Sequence, residues 1–362
     1  MDTSAPILRA ISGTGGKGPA CFLIEGHEAR IMLDLGYGPQ PGLLPNVDRI
    51  GKIDALVLSH GHRDHAGGLS LLPKLGNPPV YATEIVARGL PPAIERRTLP
   101  VRGIADVLGV RVDAGRSGHA PGGIWIHFAL GDGLLYMGDH SSESIVYAYD
   151  APPPAATVVL DASYGSDDTP ARDRFTKFDP LCGLSGVLLP VPEDGRGPEI
   201  VLYLARKGCS TLRIDDGLRS ALRRLAGADR PSVREGVASE IAQLAEAAGA
   251  IDGAHGVMLA SRADGTAGEA ARLIEQWENT AEPAIVFTGY IPTGTPAERL
   301  VNNGRASYLR WNVHPRLSEN AALVRATHAR TVVPAFCESK DLPALSRAFD
   351  PAQVTIDCPL ML

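Results

Sequence analysis

Three histidines and an aspartate fall within six residues in the run Ser59-His60-Gly61-His62-Arg63-Asp64-His65-Ala66-Gly67-Gly68. Imidazole nitrogen and carboxylate oxygen are ligands for first-row divalent metals, and a loop at a strand end can turn several of them toward one point. His60 and His62, two apart in an extended loop, project to the same side. Asp64 and His65 follow at the start of a helix, where they can face a second ion. Gly61, Gly67 and Gly68 let the backbone come close. Two later residues fit the same centre. His119 sits in the tight loop Ser117-Gly118-His119-Ala120-Pro121-Gly122-Gly123, and Asp139 ends a strand in Tyr136-Met137-Gly138-Asp139-His140. A carboxylate at that place can bridge two ions ~3.5–4 Å apart, and such a pair clamps an in-line displacement. Water held there ionises near pH ~7 and can attack an ester or phosphodiester.

The elements that must position these residues read as α/β. Short apolar runs at 7–11, 20–24, 30–33, 55–59, 80–82, 124–129, 134–137 and 157–160 are strand candidates. The first three are close together and divided by Gly-rich turns, which suggests antiparallel pairing rather than a dinucleotide-binding start. A helix is expected from about Ala66. From about Arg172 the character changes. Residues 183–204 read as strand, loop and helix, and 216–225 and 233–247 read as helices. A strand at 257–260, a helix at 268–277 and a strand at 285–288 follow. Strands at 308–313 and 331–335 then flank a helix at 319–327. The middle therefore looks like an insertion into an outer domain, with boundaries expected at 1–178, 179–305 and 306–362.

Composition excludes several classes. Hydrophobic residues are 44% and charged residues 21%, an ordinary globular mix. The net charge is 35 − 41 = −6, which excludes bulk coating of nucleic acid but not a local grip on one strand. No run reaches the ~18 apolar residues of a membrane span. Residues 1–10, with Asp2 and Arg9 and no long apolar core, do not read as a signal peptide. The five cysteines are scattered with no C-x-x-C pair, which fits free thiols in a reducing cytoplasm and no zinc ribbon or disulfide framework.

His60-x-His62-x-Asp64-His65, then His119, then Asp139, resembles the metallo-β-lactamase fold. The chain further resembles the β-CASP branch of that fold, the metal-dependent nucleases that include J-type ribonucleases and the polyadenylation endonuclease. Leu160-Asp161-Ala162-Ser163-Tyr164-Gly165 is similar to its acidic first motif. Leu189-Pro190-Val191 through Gly195-Arg196-Gly197-Pro198-Glu199 is similar to the stretch that opens its inserted domain. Phe287-Thr288-Gly289-Tyr290 with Gly294-Thr295 is similar to the stretch that closes it, and Val313-His314-Pro315 occupies its second motif. The likeness runs over essentially the whole chain. It implies an α/β fold built as an αββα sandwich with an inserted β-CASP α/β cap domain.

The resemblance implies His60, His62 and His119 on a first ion, and Asp64, His65 and Asp139 on a second, with Asp139 bridging. It implies zinc, one or two ions, with manganese as the alternative. Asp64 would also orient the attacking water. His314 is carried over as general acid or phosphate contact, and Asp161 would orient a metal-ligand histidine. Arg196 is carried over as a substrate contact. Two places depart from the branch. Asp161 stands where glutamate is more usual. Phe336, in Pro334-Ala335-Phe336-Cys337-Glu338, stands where the third motif has a histidine, so the last ligand of the second ion is missing. His140 and Cys337 are the nearby substitutes. His27, His127, His255 and His328 carry no motif and read as structural. Asp34, at a strand end, reads as a loop-organising carboxylate.

The leading expectation is a metal-dependent phosphodiester hydrolase, a ribonuclease acting on single-stranded RNA in the cytoplasm. Two alternatives remain: a small-molecule ester or thioester hydrolase of the same fold, or a decayed β-CASP scaffold subunit. The expected partner is nucleic acid, RNA favoured, with no membrane, and with room for a homodimer or a partner subunit. Two basic stretches suggest where a strand binds. Residues 206–234 hold eight Lys or Arg against three Asp, and 299–330 hold six Arg against one Glu.

Overall fold

A computed structural model describes residues 5–26 and 29–362. His27 therefore lies outside the described residues. The chain divides into two compact units. One is Met1–Ser142, Ala148–Asp168 and His314–Leu362; the other is Glu143–Tyr147 and Thr169–Val313. The second unit interrupts the first. Among the described residues no helix is long and apolar enough to cross a membrane.

The first unit contains two seven-stranded sheets. In one, strands Leu360–Met361, Ile7–Ser12, Cys21–Gly26, Ala29–Leu33, Ala55–Val57, Val80–Thr83 and Arg96–Leu99 lie side by side. In the other the order is Gln353–Val354, Thr331–Ala335, Thr157–Asp161, Leu134–Tyr136, Ile124–Phe128, Val110–Arg116 and Gly103–Val107. Side chains alternate across a strand, so each sheet buries two different faces. Phe22 and Ile24 join Leu134, Tyr136 and Val159 in the core between the sheets. Cys21 and Leu23 face outward against Leu72, Leu75 and Val86. Leu135, Val158 and Leu160 face outward against Leu323, Val324, Leu345 and Phe349. These three cores are the αββα sandwich expected from the sequence.

The second unit carries a parallel sheet in the order Leu212–Ile214, Gly256–Ser261, Gly186–Val191, Ala284–Phe287 and Ala306–Tyr308. Val187, Leu189, Val257 and Leu259 face helices Arg196–Arg206, Asp216–Ala226 and Val237–Ala247. Leu188, Met258 and Ala260 face helices Gly268–Trp277 and Pro296–Asn302. A sheet covered on both sides explains why these strands read as unbroken apolar runs.

Several elements differ from the sequence expectation. In place of one strand over 308–313, the chain leaves the sheet after Tyr308. Trp311 turns into the unit's core, stacks on Phe175 with ring centroids 3.7 Å apart, and donates its indole N–H to Glu199 at 2.7 Å. The helix expected from 233 starts at Val237, because Val233 bridges Tyr147 and Gly236 adopts a left-handed turn with φ 80°. Instead of one helix from about Ala66, there is a single α-turn at Arg63–Ala66 and then a 3-10 run at Leu69–Leu75, which carries Pro73.

Most of the basic stretch at 206–234 is neutralised by its own unit. Arg206 pairs with Glu240, Lys207 with Asp179, Arg213 with Asp252 and Arg223 with Glu246. Arg219 donates to the carbonyls of Ala245, Ala248 and Gly249, and Arg234 to that of Ser144. In the other stretch, Arg299 pairs with Glu278, Arg330 with Asp132, and Arg305 donates to three backbone carbonyls. Most of the cations in the two runs thus satisfy acids and carbonyl oxygens within the fold.

Glu199 is 2% exposed. Its carboxylate accepts from the Ser144 hydroxyl, from Ile145 N at 3.2 Å and from the Trp311 indole. Burial pushes its pKa up from 4.5 to about 7, although those hydrogen bonds pull the other way. The folded state then binds this proton more tightly than the unfolded chain does. Its contribution is fully present below pH 4.5 and is lost as pH rises to about 7. The loss amounts to about 3 kcal/mol at most. Urea unfolding at pH 5 and pH 8 should show Glu199→Gln flattening the fall in stability seen for the native chain. Equal pH dependence in both would contradict the assignment.

Candidate metal centre

Strand direction assembles the site. Val110–Arg116 and Leu134–Tyr136 both run antiparallel to Ile124–Phe128 and so end at the same edge. Thr157–Asp161 and Thr331–Ala335 run parallel to Leu134–Tyr136 and end there too. In the other sheet, Ala29–Leu33 and Ala55–Val57 are parallel. The ends of these strands and the segments after them carry Asp34, His60, His119, Asp139, Asp161 and Phe336.

Tight approach at this edge requires glycine at several places, Gly68 and Gly138 among them. A Cβ on Gly68 would stand 2.6 Å from Gly36 O, and one on Gly138 would stand 2.5 Å from Ser59 Oγ with the backbone at φ 53°. Gly61, in contrast, has room for a side chain, its nearest neighbour being Val86 at 3.9 Å. The expectation that Gly61 is needed for close approach is therefore corrected.

The side chains converge on three donor groups. His60, His62, His119 and Asp139 form one; Asp64, His65 and Asp139 form the second; Asp139, Asp161 and His314 form the third. Asp139 belongs to all three. Its Oδ2 lies 3.4 Å from His119 Nε2, 3.9 Å from His60 Nε2 and 3.7 Å from His314 Nδ1, and its Oδ1 lies 3.1 Å from His65 Nε2. His119 Nε2 and His62 Nδ1 are 3.0 Å apart. Among the described residues, His60 Nε2 is buried and makes no hydrogen bond, and His65 Nε2 and Asp139 Oδ1, 3.1 Å apart, have no partner besides each other. A buried polar atom without a partner costs about 1–3 kcal/mol, and several aimed at one point fit a cation between them. The donor set of imidazole and carboxylate suits a divalent metal ion.

The electrostatics follow from burial and mutual proximity. Burial, then His65 and His62, holds the His60 imidazole well below its ordinary pKa, so it is neutral and able to donate a lone pair. Burial opposes charge on His65, but the carboxylates of Asp139 and Asp34 overcome it and raise its pKa. Burial also opposes charge on Asp139, yet His65, His314 and His119 hold its carboxyl well below the usual range.

Outer carboxylates fix two of the rings. Asp34 is fully buried and accepts from Ser59 N at 2.7 Å, Ser59 Oγ at 2.7 Å and Tyr136 OH at 2.6 Å. Its Oδ2 lies 2.7 Å from His65 Nδ1, so that nitrogen carries the proton and Nε2 is left for the centre. Burial and Asp34 raise the Tyr136 pKa well above its ordinary value, which keeps its hydroxyl a donor. Asp161 was expected to hold a cluster histidine. It instead sits 2.7 Å from Nδ1 of His314. Burial would raise the Asp161 pKa, but His314 pulls it below the ordinary value, so the carboxylate accepts and Nδ1 donates. Sequence reasoning gave Asp34 too small a part; its place directly after apolar Ile31–Leu33 was the available signal.

Removing Asp34 strands four buried donors. Asp34→Ala should cost about 3–5 kcal/mol in denaturant unfolding and weaken metal binding by roughly 10–100-fold. Unchanged stability would contradict this reading of the network.

The suggested substitute ligands stay out of all three groups. His140 is 2% exposed, stacks on Tyr149 at 6.3 Å and has its pKa pushed down to about 4, chiefly by burial. Cys337 directs its thiol to Pro334 O at 3.8 Å and packs with Leu345 and Phe349. Phe336 presents its ring to His65 edge-on, with centroids 5.3 Å apart. His127, His255 and His328 join no donor group. Arg196 belongs to the second unit, where its Nε donates to Thr288 Oγ1 at 3.1 Å.

Comparison with known proteins agrees with this geometry. Residues 14–180 match the metallo-beta-lactamase superfamily. The transcription termination factor FttA of Cenarchaeum symbiosum is 26% identical over 66% of this chain and 43% of its own length. Cleavage and polyadenylation specificity factor 73 of Drosophila melanogaster is 28% identical over 52% of this chain and 34% of its own. This chain therefore spans less than half the length of these two relatives. A crystal structure of a protein of unknown function from Enterococcus faecalis V583 superposes with a TM-score of 0.63 at 12% identity, covering 99% of this chain and 100% of that one. The fold and the donor set agree with that match: residues 14–180 are similar to the metallo-beta-lactamase superfamily, and the unit that holds them is interrupted by an α/β insert.

Proposed function

We propose that the chain is a metal-dependent phosphodiester hydrolase that cleaves single-stranded RNA in the cytoplasm. The observation that carries the reading is the convergence of three donor groups on Asp139, beside the Asp161–His314 pair. In this reading zinc is the resident ion, with manganese the alternative. His60, His62, His119 and Asp139 would hold one ion, and Asp64, His65 and Asp139 a second. A divalent ion bound there would supply charge stabilisation for the phosphoryl oxygens and an activated water.

The remaining steps fall to the protein's own groups. Asp64, partly exposed at the edge of the centre, orients the attacking water. Asp161 accepts from Nδ1 of His314 and orients the ring, so that Nε2 of the imidazolium form hands its proton to the leaving oxygen and the ring is left neutral. His314 is held from the side by the Tyr164 ring at 5.2 Å and the His119 ring at 5.0 Å. Asp34 keeps His65 aligned. Arg196 is proposed as a substrate contact on the insert. The names of the relatives, among them Ribonuclease J 1 of Streptococcus pyogenes, support RNA over a small ester.

The test sets labelled single-stranded RNA beside single-stranded DNA and a small thioester. RNA cutting that stops with chelator and returns with zinc or manganese is expected. Thioester hydrolysis without RNA cutting would overturn the substrate assignment.

A further inference from the structure

The two donor groups read as ion positions are unequal. One has four donors, His60, His62, His119 and Asp139, and the other three, Asp64, His65 and Asp139. Asp139 counts in both, so the smaller group has only two donors of its own. One of these, Asp64, is partly exposed, while His65 is buried.

Among the described residues, the neighbourhood of His65 contains no spare donor. The edge-on neighbour of its ring is Phe336, which is 6% exposed and has only carbon in its side chain. Phe336 is held in place: its backbone is left-handed at φ 63° and its N–H donates to Gly13 O at 2.8 Å. Its ring also lies against Gly13, where a Cβ would stand 3.2 Å from Cε1. The next residue, Cys337, turns its thiol to Pro334 O, and Glu338 is exposed and paired with Lys340. Asp161 and His314, the remaining acid and imidazole near Asp139, are occupied with each other at 2.7 Å.

We propose that the chain holds one divalent ion tightly, at His60, His62, His119 and Asp139, and that the three-donor position exchanges its ion readily because Phe336 closes the side from which another protein ligand would come. A metal held by four protein donors resists loss, whereas three donors leave a position open to solvent. The inference rests on the reading of this cluster as a metal centre and is independent of the substrate.

The experiment loads the whole chain with zinc, passes it over a chelating resin and counts metal per chain. The native chain should retain about one ion. Asp64→Asn should retain the same ion, and Phe336→His, which brings an imidazole to the open side, should retain about two. Two ions on the native chain, loss of the retained ion in Asp64→Asn, or a folded Phe336→His with one ion would each overturn the proposal. If Phe336→His does not fold, the native chain and Asp64→Asn decide. No retained ion at all would defeat the metal reading itself. One retained ion without RNA cutting would defeat only the nuclease reading.

Discussion

Asp139→Asn should lower RNA cleavage by roughly a thousandfold or more, with loss of bound metal. The size follows from position. Asp139 is the one residue shared by all three donor groups, and four imidazoles lie within 3.1–3.9 Å of its oxygens. The amide keeps the volume but loses the charge that holds these rings around one point, and one of its atoms becomes a donor. His60 is already pushed toward neutrality by burial, whereas His65 depends on Asp139 and Asp34 for its raised pKa. Metal content and cleavage should therefore fall together. Full metal content with cleavage lost would assign Asp139 a different role, and full activity would remove it from the centre.

His314→Ala should slow cleavage by roughly 10²–10⁴-fold while leaving the metal content unchanged. His314 ends the third donor group and is tied through Nδ1 to Asp161, which leaves Nε2 as its one atom for proton transfer. If it acts on the leaving oxygen, an RNA whose leaving group is already a good one should be cut almost normally by the variant. Asp161→Asn should have a smaller effect of roughly 10–100-fold, because the imidazole survives but its orientation and tautomer do not. A His314→Ala protein that loses metal instead would make this residue a ligand.

Much of the centre could be read from residue types alone. His60, His62, Asp64, His65, His119 and Asp139 were named from spacing, and the structure brings all of them into two donor groups. This works because donors in short loops after strands are positioned by chain direction. What could not be read was which carboxylate holds which ring. Asp34 and Asp161 both follow apolar strands, and only the pairing of Ala29–Leu33 with Ala55–Val57 brings Asp34 to His65. Strand Arg96–Leu99 and hairpin Gly103–Arg116 were also hard to see. They lie at sheet edges, where Arg96, Arg97 and Ile104 are exposed and apolar alternation fades. Charge runs overstate the unpaired cations for a related reason. Counting Arg and Lys along the chain omits the acids that fold against them, such as Glu240, Glu246 and Asp252. Phe336 was legible as a departure, but its effect depends on the ring resting against His65 and Gly13.

The central claim is that this donor cluster holds metal and that the metal cuts RNA. The most direct test measures both on the same preparations of the native chain and His62→Ala, with labelled single-stranded RNA and zinc or manganese supplied. The native chain should bind metal and cut, and His62→Ala should do neither to a comparable extent. Equal cutting by the two proteins would contradict the account.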